Sequence, residues 1–375
     1  MFNMRNVLGL VFTEQTNVNL GGLISNRAPA AVPIAGKYRL IDFVLSNMVN
    51  SGIVNVGVTT HHHYSSLMDH LGSGREWDLD RKNNGLFILP PYSSRDDLAA
   101  IKGSIDVLHG VMNYLKKSVQ EYVILANGMD VYSIDFSEAV TRHIENDADM
   151  TIIYKNDPYV EENMLSRRTM LEIDAENRIT GMEVAPRHPA TRNHSLGVYI
   201  LAKELLMSIV DECYAHNEHD FLTDRVLNDL LGLRIFAHEF KGFAGMIDSI
   251  PSYYAASMMF LREEVRHELF GDRPVYTKVR DDAPAKYGSR ASVDNSLIAD
   301  GCVIEGSVKD SIIFRGVQIK PGAVIKDSIV MQESRIGEAC RLECVILDKE
   351  TVVHDGKQLV GQVNYPIVVE KRSEI

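Results

Sequence analysis

The sequence predicts an α/β protein in which a doubly wound, mainly parallel sheet is followed by a left-handed parallel β-helix. From residue 7 to about residue 260, short apolar strands alternate with helical stretches, the pattern of crossover connections in a sheet covered on both faces. After Pro284 the aliphatic residues recur every four to six positions, which neither an α-helix nor a single flat strand produces. Short strands repeating every six residues are typical of a β-helix.

The first segment alternates regularly between the two kinds of element. The predicted strands cover residues 7–12, 54–59, 122–126, 150–154, 196–201 and 233–240. The predicted helices cover residues 40–51, 65–71, 104–117, 136–146, 202–215, 221–231 and 252–270. In such a sheet we expect the functional site at the carboxyl ends of the strands.

The second segment has one inward-facing aliphatic residue in each short strand. These residues are Ile298, Ile304, Val308, Ile313, Ile319, Ile325, Val330, Ile336, Leu342, Leu347 and Val353. We expect about three turns over residues 291–355, with left-handed corner glycines at Gly301, Gly306, Gly316, Gly322 and Gly337. The alternative is a β-sandwich. The predicted organisation is a sheet domain at 1–270, a linker at 271–290, and a β-helix with a C-terminal cap at 291–375.

Composition excludes several classes of function. A net charge of −12 over 375 residues argues against a general nucleic-acid binder. No apolar run reaches the ~18 residues that cross a membrane. The four cysteines have neither metal-site nor disulfide-framework spacing, which indicates a reducing compartment, the cytoplasm.

Several motifs occur in a fixed order along nearly the whole chain. They are NRAPAAVPIAGKYRLIDFVLSNMVNSGI at 26–53, KGSIDVL at 102–108, YVILANGMDVYSIDF at 122–136, SLGVYIL at 195–201 and GMIDSIPSYYAASMMFL at 245–261. Together they resemble the ADP-glucose pyrophosphorylases, also called glucose-1-phosphate adenylyltransferases. The resemblance implies synthesis of ADP-glucose from ATP and glucose 1-phosphate for glycogen or starch, by positioning, Mg²⁺ and cationic stabilisation.

The resemblance also implies that several substrate-binding positions are changed in this chain. The glycine-rich phosphate loop is replaced by VFTEQTNVNLGG at 11–22, and the phosphate-binding lysine by Pro29. Ala185 stands where a lysine binds the sugar phosphate, with Arg187 as a possible substitute. Met129 stands at a metal-binding aspartate, although a shift of one residue would make Asp130 the ligand.

Other positions keep the family's residue types. Asp248 matches the second metal-binding aspartate, and the structural alternative for it is a carboxylate in a solvated loop. Gly103 and Asp106 keep a ligand-binding turn, and the structural alternative there is a helix start capped by Ser104. The cations Arg27, Lys37 and Arg39 persist. By resemblance, Arg27 and Arg39 occupy basic positions of an allosteric effector pocket, and the alternative for them is ion pairing with carboxylates.

The resemblance is therefore closest to a regulatory, catalytically degenerate subunit. It implies no cofactor for this chain, Mg²⁺ in a catalytic partner, a heterotetramer with that partner, and a sugar-phosphate or nucleotide effector. Three alternatives remain open at this point: an active enzyme with a rearranged loop, a sugar-nucleotide sensor without chemistry, and an acyltransferase using His354.

Overall fold

A computed structural model describes residues 2–13, 18–60, 63–90, 102–158, 162–230 and 232–375. The strands of the first segment are β1 Val7–Phe12, β2 Pro33–Ile34, β3 Tyr38–Arg39, β4 Asn55–Thr59, β5 Gly85–Leu89, β6 Tyr122–Asn127, β7 Met150–Asn156, β8 Thr169–Ile173, β9 Ile179–Val184, β10 Asn193–Ala202 and β11 Ile235–Glu239. The helices are α1 Leu40–Asn50, α2 Ser65–Leu71, α3 Ser104–Gly110, α4 Met112–Lys117, α5 Phe136–Glu145, α6 Glu162–Leu165, α7 Lys203–Ala215, α8 Ile250–Met259 and α9 Glu263–Phe270.

The main sheet has the strand order β11-β7-β10-β6-β1-β4-β5. Its pairs are parallel except that β10 runs antiparallel to both β6 and β7, and the antiparallel hairpin β8–β9 joins it through β10. Side chains of β1 alternate between two buried clusters, Val7 and Val11 on one face and Leu8 and Leu10 on the other. The predicted doubly wound, mainly parallel sheet is confirmed.

Three predicted helices differ from the observed ones. The stretch 104–117 is two helices, α3 and α4, separated at Val111, and 252–270 is likewise divided into α8 and α9. The segment after Asp220 is a π-helical turn, Phe221–Val226, rather than a long α-helix. The sequence prediction also missed the edge strand β5 and the hairpin β8–β9, in which polar residues interrupt the apolar ones.

The second segment forms three parallel sheets of five strands each, β12-β15-β18-β21-β24, β13-β16-β19-β22-β25 and β14-β17-β20-β23-β26. These strands are β12 Lys286–Tyr287, β13 Ser292–Asp294, β14 Leu297–Ile298, β15 Val303–Ile304, β16 Ser307–Lys309, β17 Ile312–Ile313, β18 Gln318–Ile319, β19 Val324–Lys326, β20 Ile329–Val330, β21 Arg335–Ile336, β22 Arg341–Glu343, β23 Val345–Leu347, β24 Val352–Val353, β25 Gln358–Val360 and β26 Ile367–Val369. The β-helix is confirmed, and the predicted inward residues form its core apart from Ile298, which is partly buried.

Two details of the β-helix differ from the expectation. Each sheet has five strands rather than about three: residues 291–355 alone supply four strands to each sheet, and residues assigned to the linker and to the cap add β12, β25 and β26. Gly301, Gly316 and Gly322 have positive φ angles, as predicted for corners. Gly306 and Gly337 do not; there a Cβ would lie 2.4 Å from the Ala323 carbonyl oxygen and 2.6 Å from the Asp355 nitrogen, so close backbone approach requires glycine.

The β-helix packs directly on the sheet domain. Ile312, Ile329 and Ile346, which lie one above another on the β17, β20 and β23 sheet, share a buried cluster with α1 and β1. A polar contact reinforces this packing, since the Tyr254 hydroxyl donates to the Asp327 carbonyl oxygen at 2.6 Å. The contact surface fixes the two parts against each other on the side of the sheet that carries α1.

Candidate functional site

A cavity of about 1280 Å³ opens at the carboxyl ends of the central strands. Its walls come from the ends of β1, β4 and β6, the hairpin β8–β9, and the first residues of α3 and α8. This is the position at which an open α/β sheet binds its ligands. Residues 14–17, within the segment expected to replace the phosphate loop, lie outside the described part of the chain.

Two carboxylates reach the cavity from different elements. Asp130, just after β6, is buried and accepts hydrogen bonds from the Asn127 side chain at 2.8 Å and the Ile247 backbone at 3.1 Å. Burial raises the pKa of Asp130 to about 6, against the lowering effect of these hydrogen bonds. Asp248, just before α8, accepts from the Ser252 hydroxyl at 2.9 Å and lies 3.7 Å from Arg167.

The same geometry bears on the register around residue 129. The Met129 side chain is fully buried in the apolar cluster beneath the sheet, whereas Asp130 lines the cavity. Asp130 is therefore the residue of this turn that is placed to meet a ligand, together with Asp248. Carboxylate oxygens are the ligands that Mg²⁺ prefers. Among the described residues, no group of three or more His, Cys, Asp or Glu side chains is arranged to hold a metal ion.

Two positions predicted to have lost a lysine carry the apolar residues Pro29 and Ala185, and the structure shows where each one lies. Pro29 begins a short buried 3₁₀ turn, Pro29–Ala31, and the Ala30 backbone nitrogen donates to the Thr13 carbonyl oxygen at the end of β1. Ala185 lines the cavity with a positive φ of 48°. Arg187, named above as a possible substitute, is exposed and does not belong to the cavity wall.

The cavity nevertheless contains cations that the sequence analysis missed. Arg167, Arg168 and Lys102 all belong to its lining. Arg168 is half-buried, and its guanidinium donates to His194 Nε2 at 2.9 Å. Burial, together with the positive charge of Arg168, lowers the pKa of His194 to about 3, so the imidazole is neutral and can accept that hydrogen bond. The sequence signal that could have identified two of these cations is the pair of adjacent arginines, Arg167 and Arg168, directly before β8.

Comparisons with known proteins agree with this architecture. A nucleotidyl transferase family model matches residues 19–234, and a GlmU-like C-terminal hexapeptide model matches residues 281–364. The glucose-1-phosphate adenylyltransferases of Bacillus mycoides (strain KBAB4), Bacillus anthracis and Bacillus thuringiensis (strain Al Hakam) are each 35% identical over 356 residues, covering 93% of both chains. The chain belongs to the glucose-1-phosphate adenylyltransferase family.

Gly103 and Asp106 have a clear structural role in this family member. The Asp106 carboxylate accepts from the Lys102 and Gly103 backbone nitrogens at 2.8 and 3.1 Å, closing the start of α3. The expectation that Ser104 caps the helix is wrong, because its hydroxyl accepts from the Phe221 nitrogen instead. A Cβ on residue 103 would lie 2.3 Å from the His219 carbonyl oxygen, so this position needs glycine.

The three predicted effector cations have different surroundings. Arg27 is buried between the sheet domain and the β-helix and makes two hydrogen bonds to Asp348, at 2.9 and 2.7 Å. The Arg39 guanidinium donates to the Ser66 carbonyl oxygen and hydroxyl, and Lys37 is exposed with its ammonium group 5.1 Å from the centre of the Tyr38 ring. For Arg27, the structure thus favours the alternative of ion pairing with a carboxylate.

A further cation lies beside this ion pair. Lys349 follows Asp348 on the β-helix, and its pKa is lowered to about 7 by burial and by the positive charges of Arg39 and Arg27. Like charges held together in this way are stabilised by a bound anion. Arg27, which is paired with Asp348, Arg39 and Lys349 thus bring three cations together where the two domains meet.

The helices of the described ranges are all too short or too polar to span a membrane.

Proposed function

We propose that this chain is a regulatory, catalytically impaired subunit that modulates a catalytic glucose-1-phosphate adenylyltransferase in the cytoplasm. The observation that carries the proposal is the apolar character of Pro29 and Ala185, the two described positions where the family resemblance implies lysines on phosphate groups. A hydrogen bond to a charged group contributes roughly 1.5–3 kcal/mol. Two missing contacts correspond to about 3–6 kcal/mol, or on the order of 10²- to 10⁴-fold in rate.

The regulatory role requires contact with the catalytic subunit, in a hetero-oligomer that we propose to be a tetramer. Outward-facing residues of the β-helix are available for it, including the exposed Val324 and Val360 on one of its sheets. The chain would stabilise the active conformation of its partner by a coupling free energy of about 1–3 kcal/mol. The Mg²⁺ required for turnover belongs to the partner's site in this proposal.

Effector binding is part of the same proposal. Arg39 and Lys349 are the cations best placed to receive a sugar phosphate or a nucleotide, because Arg27 is committed to Asp348. An anion there would also relieve the repulsion that lowers the pKa of Lys349. Effector binding and partner binding would then be coupled, because the cations lie where the sheet domain meets the β-helix and the β-helix also carries the surface proposed for the partner.

A second candidate function is the binding of a sugar-containing ligand without chemistry. It is favoured by the presence of Asp130, Asp248 and Arg168 around one cavity. These residues would contact the hydroxyl and phosphate groups of a ligand, while the missing lysines would prevent efficient transfer. A third possibility, an active enzyme with a rearranged loop, predicts turnover by the isolated chain.

The test is to purify this chain and a catalytic adenylyltransferase from the same organism and to measure pyrophosphate release by each alone and by mixtures. The proposal expects negligible release by this chain and an increased rate, or an altered effector response, in the mixture. The matched control is the Pro29→Lys, Ala185→Lys variant, which restores both charges. Rapid turnover by the unmodified chain would support the rearranged-loop enzyme and reject the proposal.

A further inference from the structure

The two ends of the β-helix differ in how their outermost strands are covered. At the C-terminal end the tail of the chain pairs with β24, because the Val352 nitrogen donates to the Ser373 carbonyl oxygen at 2.9 Å and the Ile375 nitrogen donates to that of Val352 at 3.0 Å. Ile375 also packs on the apolar core of the β-helix. At the N-terminal end, β12, β13 and β14 are each the last strand of their sheet and, among the described residues, pair on one side only. Such edges leave backbone N–H and C=O groups unpaired.

The linker runs beside this open end rather than across it. Arg280 lies 3.2 Å from Glu333, which lies between β20 and β21, and the Ala283 carbonyl oxygen accepts from the Gly301 nitrogen at 2.6 Å. Gly301 and Glu333 both border Gly316, so the three positions stack at one corner of successive coils. Residues 280–283 therefore follow the side of the β-helix and do not close its end.

The apolar core is open at the same end. The inward positions of the first coil are Tyr287, Val293 and Ile298, which pair in register with Ile304, Val308 and Ile313 of the second coil. The three second-coil residues are at most 1% exposed, whereas Tyr287 is 51% and Val293 is 39% exposed. Solenoid proteins need a polar or covered terminal repeat to stay soluble. An apolar end rimmed by open strand edges therefore fits a partner that supplies strand edges of its own.

A second copy of the same coil meets this requirement across a two-fold axis perpendicular to the β-helix. Such an axis brings the two first coils edge to edge with antiparallel strands, and it can pass through β12, β13 or β14. With the axis through β14, β12 faces β13 of the second copy. The register that places Tyr287 opposite Val293 then also places Lys286 opposite Asp294, so apolar residues meet on the inside and opposite charges meet on the outside.

The other two axes give no such match of charge. With the axis through β12, Lys286 faces Gly288 of the second copy and Asp294 faces Leu297. With the axis through β13, Lys286 faces Ala299 and Asp294 faces Ser292. Opposite charges on facing strands stabilise a pair, and specificity between strand registers is often set in this way. The charges of the first coil therefore select the axis through β14.

The backbone of the first coil agrees with the same register. The nitrogens of Lys286 and Gly288 donate to the second coil, at 2.8 Å each, so the N–H and C=O groups of Tyr287 point to the open edge. The Ser292 nitrogen likewise donates to the second coil, at 3.1 Å, which leaves the groups of Val293 at that edge. Tyr287 and Val293 can therefore exchange two hydrogen bonds.

We propose that this chain pairs with a second copy of itself through the first coils of the two β-helices, with β12 antiparallel to β13 and Lys286 opposite Asp294 twice in the dimer. Among the described residues Lys286 has no ion pair, and Asp294 lies 3.3 Å from Lys309 of its own chain. The inference goes beyond the proposed function, which concerns a catalytic partner, and does not depend on it.

The experiment is sedimentation velocity of the full chain over a wide range of concentration. The unmodified chain should reach a mass twice the 42.0 kDa of a single chain. Lys286→Glu and Asp294→Lys each place like charges opposite one another, so each should raise the dimer dissociation constant by about tenfold or more. The double variant Lys286→Glu, Asp294→Lys restores opposite charges and should recover most of that loss. Lys320→Glu, at an exposed lysine elsewhere on the β-helix, is the matched control and should have no effect.

A cross-link tests the register itself. Opposite residues of a non-hydrogen-bonded antiparallel pair have Cα atoms about 4.5 Å apart, within the range of a disulfide. Oxidised Lys286→Cys, Asp294→Cys should therefore run as a covalent dimer, whereas Lys320→Cys, Asp294→Cys should not; the four natural cysteines are buried.

A chain that stays monomeric at every concentration, or that associates only with a catalytic subunit, would overturn the proposal. So would a dimer that both charge reversals leave unchanged, or one that the double reversal fails to restore. None of these results bears on stimulation of a catalytic subunit, which the mixing experiment measures separately.

Discussion

The ion pair between Arg27 and Asp348 offers a direct test of how the sheet domain is held on the β-helix. The two side chains are only 4% and 1% exposed and share two hydrogen bonds, at 2.9 and 2.7 Å. Substituting Arg27→Met leaves the carboxylate buried without its partner charge. Breaking one side of a buried pair costs about 3–5 kcal/mol. We therefore expect the free energy of unfolding in urea to fall by that amount.

The double variant Arg27→Met, Asp348→Leu removes both charges, so it should be much closer in stability to the unmodified chain than either single variant. Lys37→Met is the matched control, since Lys37 is an exposed cation of the same segment, and it should change stability by less than about 0.5 kcal/mol. The reasoning is refuted if Arg27→Met costs less than about 1 kcal/mol, or if the two single losses simply add.

Three further predictions concern other parts of the chain. The pKa of Lys349 is about 7 in the folded chain and about 10.5 in the unfolded chain, so the unfolded state binds more protons between these two values. The free energy of unfolding should therefore rise by about 2 kcal/mol from pH 7 to pH 9. Urea titrations should show that Lys349→Met removes this rise, and the same pH dependence in the variant and the unmodified chain would contradict the prediction. Gly103→Ala should lower the melting temperature markedly, because its Cβ would meet the His219 carbonyl oxygen, and an unchanged melting temperature would count against that contact. Ile325→Ala should cost about 2–5 kcal/mol in urea, and Val324→Ala, on the outer face of the same strand, less than about 0.5 kcal/mol; equal costs would reject the assigned faces.

The fold was predictable because its signals are local and periodic. Ile319, Ile325 and Ile336 each lie in a short strand, and their spacing alone required coils of short strands. Element boundaries were less predictable. The break between α3 and α4 at Val111 directly follows Gly110, a helix-weakening residue that the predicted helix 104–117 passed over.

The candidate site was less predictable, because it depends on pairs that are distant in sequence or set by packing. Arg27 and Asp348 are 321 residues apart, so no local pattern connects them. The choice between Met129 and Asp130 depends on which side chain packs beneath the sheet. The position of Arg168 depends on a hairpin register that the sequence pattern did not define.

The central claim is tested most directly by the rate of pyrophosphate release when the purified chain alone receives ATP, glucose 1-phosphate and Mg²⁺, followed by titration into a fixed amount of the catalytic subunit. Release near background by the isolated chain, with saturable stimulation of the partner, is the predicted result. Turnover by the isolated chain at a rate comparable to that of the catalytic subunit would contradict it, because the two apolar positions would then have no effect on catalysis.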